Sequence, residues 1–181
     1  MNNKITSLKE KFRVALTSTA KVISEDFTLK NGKLENSNTY EIDDIKNPND
    51  FIRMRADTDS EALKKKFSNN LIHKKNLPSN STLRVLYDIA EKVRCESLGG
   101  QMLKGIEKNF NKNYSLMINL KKKDQLKTKE DVPVAEAFEL YMLKNFHQIK
   151  LNPLTSKMLG FWEKNFEKSI EKHKKFLQEN L

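Results

Sequence analysis

The residues best suited by type to do chemistry lie in one short run, EKVRCESLGG at 91 to 100. It sets the only cysteine, Cys95, between Arg94 and Glu96, with Glu91 one turn earlier and Gly99-Gly100 at its end. Nucleophilic chemistry would need a thiolate at a helix N-terminus or beside a cation. Cys95 falls inside an expected helix, where its neighbour Arg94 points about 100° away, so a packed structural thiol is the favoured reading. A metal centre would need clustered histidines, cysteines and carboxylates, whereas His73, His147 and His173 are far apart and none lies four residues from another. Phosphate-loop chemistry would need GxxxxGK[ST], which the chain lacks. One enzymatic constellation is left, Glu91 and Glu96 about Arg94 in a cleft, because perturbed charges gather at active sites. It ranks last among the readings, and no catalytic, metal or cofactor-binding residue is assigned.

A helix must position this run. With Leu83 at zero and about 100° per residue, Leu86, Tyr87, Ala90, Val93 and Ser97 share one apolar arc, and Arg94 falls near its middle. A guanidinium there must be paired, since an isolated buried charge is costly. Glu91 is the local candidate, with Asp57 or Asp59 of the preceding helix as others. Beyond the glycines, Met102, Leu103, Ile106 and Phe110 cluster on another side, so Gly99-Gly100 marks a change of packing partner.

The same periodicity gives the chain its class, all-α, as a single helical domain of about five to six helices over 1–181. The helices are expected at about 5–24, 49–76 (one long or two consecutive), 81–110, 133–147 and 154–179. The first carries Leu8, Phe12, Ala15, Leu16, Thr19 and Ile23 on its apolar side. Asn31-Gly32 is a hairpin-type turn signal, so a small β-hairpin is expected near residues 26–42.

Composition bounds the function. The chain has 181 residues, 37% apolar and 32% charged, enough for one buried core and too apolar for wholesale disorder. One cysteine, no charged-then-apolar leader and no apolar run near the ~20 residues of a membrane span predict a cytoplasmic protein that does not cross a bilayer. The net charge of +10 raises a basic helical nucleic-acid-binding protein as the alternative reading. Against it, only five of the 34 basic residues are arginines, the side chain that forks onto phosphates and guanine edges.

The stretch from Ala56 to Asn109, with ADTDSEAL, LIHKKNLP and YDIAEKVRCESLGGQMLKGIEKNF, resembles the N-terminal region of the CobT subunit of aerobic cobaltochelatase. Its matches fall on Asp57, His73, Pro78, Glu91, Arg94, Glu96, Gly99, Met102, Gly105 and Asn109. KEKFRVALTSTAKVI and LGFWEKNFEKSIEKHKKFL resemble that family's opening and closing helices. Where the family tends to carry an Arg-Glu pair before a Leu-Thr-Gly turn, this chain has LKNFHQI at 143–149.

The resemblance implies a non-catalytic assembly domain that docks onto a CobS-type AAA+ ATPase subunit and a CobN-type large subunit during ATP-dependent cobalt insertion into a corrin ring. Cobalt, ATP and magnesium then belong to the whole complex, with no cofactor in this chain. The family's charged linker and von Willebrand A-type domain have no counterpart here, DTDS at 57–60 being out of pattern for its Asp-x-Ser-x-Ser site. Asp57, His73, Glu91, Arg94, Glu96, Gly99, Gly100 and Asn109 are the candidate structural or partner-docking residues. For Glu91, Arg94 and Glu96, a buried structural ion pair is favoured over a partner-facing site.

Overall fold

The computed structural model describes residues 2–29, 45–121 and 126–169. Among them the chain is all-α, with no strand. The expected hairpin, with its Asn31-Gly32 turn, falls mostly on 30–44, outside the described residues. The chain divides into two compact units, residues 1–69 and 70–181, each taken here by itself.

The first unit is a helix pair, α1 (Asn2–Ser24) and α2 (Pro48–Phe67). Leu16, Ala20 and Ile23 of α1 are buried, at the i, i+4, i+7 spacing of one helix face. Leu8, expected on that face, is exposed. Phe12 meets Phe51 edge-on at 4.8 Å beside the cluster of Leu16, Ile45 and Met54. Further along, Glu25 pairs with Lys66 and Asp26 with Lys65. These pairings climb both helices in the same sense, so α1 and α2 run parallel. Asn47 starts α2: its side chain accepts from Asn49 N–H at 2.8 Å, while Asp50 Oδ2 accepts from the Lys46 and Asn47 amides, with Pro48 in the first turn.

The second unit is built round α4 (Ser81–Met102), which packs on α5 (Lys104–Leu120) and α6 (Val134–Phe146), with α6 packing on α7 (Pro153–Gly160). The short α3 (Asn70–Lys75) precedes them, so the stretch 49–76 forms two helices rather than one. The core is Val93 and Cys95 of α4; Ile106, Phe110, Tyr114 and Ile118 at successive i+4 steps of α5; and Phe138 to Leu143, apart from the half-buried Glu139, with Met158, Leu159 and Phe166.

Two expected helices are interrupted. The one placed at 81–110 continues through Gly99-Gly100 and stops at Leu103, whose φ of −136° and ψ of 102° are extended, before a new helix runs on to Leu120. The one placed at 154–179 stops at Gly160, and helix resumes at 163–169. There the Trp162 and Asn165 amides bond to Leu159 and Trp162 carbonyls three residues back, a tightened turn. The turn lets Trp162 donate through Nε1 to the Val132 carbonyl at 3.1 Å, with Lys129 Nζ over its ring at 4.0 Å.

Candidate functional site

Helix α4 starts where Asn80 Oδ1 accepts from Leu83 N–H at 3.1 Å. Its two halves differ. Leu83 and Val85 are exposed, and burial is confined to Val93, Cys95, Glu96, Gly99 and Gly100. At about 100° per residue those five residues cover an arc that leaves Arg94 outside it. The expectation that Arg94 occupies the middle of an apolar face is therefore corrected: its side chain is 34% exposed, and the charged residue inside the face is Glu96, at 1%. Leu83, near the start of α4, is exposed and contributes nothing to the core.

Glu91, the local partner expected for Arg94, pairs with it. Arg94 Nε donates to Glu91 Oε2 and Nη2 to Oε1, both at 2.8 Å, a two-pronged pair along one helix turn. The hydrogen bond to Glu91 holds the Arg94 guanidinium above its ordinary pKa, against the opposing effect of partial burial. Asp59, one of the other candidates, is fully buried in α2 and accepts from Arg55 Nε at 3.2 Å. Cys95 is a free, fully buried thiol whose Sγ lies 3.8 Å from Glu91 Oε1. Burial denies it the access a nucleophile needs.

Glu96 is held by residues that sequence reasoning did not single out. Tyr114 of α5 donates its hydroxyl to Glu96 Oε2 at 2.5 Å, within the range of charge-assisted O–H···O bonds. His147 Nε2 approaches the same oxygen at 3.4 Å without hydrogen-bond alignment, so Tyr114 is the firmer partner. His147 is the residue that ends α6, its amide bonding to the Leu143 carbonyl. The next residue, Gln148, takes a left-handed φ of 54°, and Ile149 N–H returns to the Leu143 carbonyl at 3.2 Å. This reversal keeps the imidazole inside, edge-on to Phe110 at 5.9 Å and beside Tyr114 at 5.6 Å. One carboxylate thus joins α4, α5 and the end of α6. A sequence signal for Tyr114 existed, since it stands in the buried i+4 row of α5; His147 carried none.

The remaining candidate residues lie elsewhere. Asp57 is half-buried in α2, in the first unit. His73 stacks on Tyr87 at 4.8 Å and donates from Nε2 to Asp88 Oδ1 at 3.0 Å, pinning α3 to α4. Asn109 is half-buried in α5. Gly99 and Gly100 are both buried, and a Cβ on Gly100 would stand 3.4 Å from Glu107 Cβ, in van der Waals contact with the first turn of α5.

Among the described residues, no group of three His, Cys, Asp or Glu side chains is placed to hold a metal ion, and no helix is long and apolar enough to cross a membrane. The motif's charges are engaged within the chain: Glu91 with Arg94, and Glu96 with Tyr114 and His147. No curated protein and no solved structure matches the chain. The family model described as cobalamin biosynthesis protein CobT matches residues 6–181, nearly the whole chain, including both units and the Glu91–Gly100 run. The chain therefore belongs to the CobT family, whose role is in cobalamin biosynthesis.

Proposed function

We propose that this chain is a non-catalytic assembly domain of a cobaltochelatase CobT-type subunit. It docks onto a CobS-type AAA+ ATPase subunit and a CobN-type large subunit, and supports ATP-dependent insertion of cobalt into a corrin ring. Cobalt is the cargo of that reaction, and nucleotide chemistry belongs to the ATPase. The observation that carries the reading is the family match over residues 6–181. The internal engagement of Glu91, Arg94 and Glu96 adds to it, because an acid or base that acts on substrate must keep a free reacting edge. Co-purification of the full chain with the purified ATPase and large subunits tests the reading. Retention by either subunit is expected; retention by neither overturns it.

The net charge of +10 keeps a nucleic-acid-binding role as the second reading. It requires salt-dependent affinity for duplex or single-stranded oligonucleotides, and absence of binding at ~150 mM salt removes it.

A further inference from the structure

Beyond its buried arc, α5 presents a face with no acid. Lys104, Lys108 and Lys112 follow one another at i+4 steps, all exposed, with exposed Ser115 and Asn119 between them on an arc of about 80°. The single carboxylate of the helix, Glu107, lies off this arc, close to Gly100 of α4. Some other lysines of this unit do find carboxylates: Lys121 meets Glu136 at 2.9 Å and Lys144 meets Glu163 at 2.7 Å. None of the three α5 lysines pairs with a carboxylate among the described residues. At the head of the row, where α4 breaks into α5, Met102 is 57% and Leu103 49% exposed.

We infer that this elbow and lysine row form a docking surface for an acidic protein segment that carries an apolar side chain at one end. The inference deepens the assembly reading and rests on it. Charge complementarity selects the partner's sign. The row advances about 6 Å per lysine, which glutamates at i+4 on a helix, or at alternate positions of an extended strand, can match. The apolar pair selects protein over nucleic acid: a phosphodiester backbone has no use for Met102 and Leu103, and the row offers neither an arginine fork nor a stacking ring. Exposed lysine–carboxylate pairs are individually weak and screened by salt, so the contact steers and sets register while the apolar pair supplies burial.

The test uses the full chain, as wild type, as Lys104→Glu/Lys108→Glu/Lys112→Glu, and as Met102→Ser/Leu103→Ser. Each is titrated by surface plasmon resonance against the purified ATPase and large subunits, and by fluorescence anisotropy against a duplex 20-mer. Circular dichroism and melting should match wild type, since the altered side chains are exposed. The expected result is wild-type binding to one subunit, weakened about tenfold or more by the charge reversal, less by the serine pair, and falling with salt. Wild-type binding that both variants retain overturns this surface and leaves the assembly reading standing. Binding of wild type to neither subunit overturns both. Duplex binding by wild type that the reversal abolishes, with subunit binding intact, assigns the row to nucleic acid and overturns the inference.

Discussion

Glu91 and Glu96 sit five residues apart on α4 in opposite surroundings. Glu91 closes on Arg94 within its own helix at a partly buried position, whereas Glu96 is fully buried and is met by side chains from two other elements. The first pair is local, satisfied before any tertiary contact forms. The second exists only once α4, α5 and the end of α6 have packed. A motif that looks uniform in sequence therefore divides into a local clasp within one helix and an internal tie between helices.

The widest separation between the two should come from Glu96→Ala, which deletes a buried partner and leaves a cavity beside Tyr114 and His147. A loss of about 3–5 kcal/mol is expected in denaturant melts followed by Trp162, the chain's only tryptophan, which reports on the second unit. A loss below about 1 kcal/mol would erase the contrast with Glu91. Tyr114→Phe should follow, at about 1–3 kcal/mol, because it removes the firm hydrogen bond while keeping the ring's packing. A value near zero would move the weight of the tie onto His147. Arg94→Ala should cost less than either, about 1 kcal/mol, part of it from lost packing of the side-chain stem, since the pair is only partly buried and one turn apart. A large drop in melting temperature would instead place Arg94 in the core.

The smallest effect belongs to the other unit. Asp26 is held at a pKa of about 2, below its ordinary 3.8, first by its hydrogen bond from Lys65 and then by Thr28. A lowered carboxylate pKa stabilises the fold fully above the unfolded value and loses that contribution as pH falls from about 4 through 2. Asp26→Asn should therefore lower the melting temperature slightly at pH 6, hardly at all at pH 2, and less in high salt because the pair is exposed. An effect that grows at low pH would show that the pair is not its cause.

How much of this was legible in the sequence depended on the range of the interaction. The Glu91–Arg94 pair was readable from i, i+3 spacing, and the capping of α2 and α7 by Asn47-Pro48 and Asn152-Pro153 follows from local backbone chemistry. The burial of Cys95 agreed with its place in mid-helix. The inward side of α4 differs from the expected arc because Leu83, from which that arc is set, looks like a core residue yet stays exposed. The stop at Leu103 had no local cause: Gly99 and Gly100, expected to mark a change of packing partner, remain helical.

By itself the sequence determined the all-α class, the family, and those bonds made within one helical turn, because periodicity, cap residues and i, i+3 spacing act over a few residues. Only the tertiary structure decided that Glu96, Tyr114 and His147 meet, and that the lysines of α5 line an open face. Both depend on which sides of three helices turn toward one another, a choice made by packing between residues 18 and 51 positions apart in the chain, from 96 to 114 and from 96 to 147, and written in no single stretch of it.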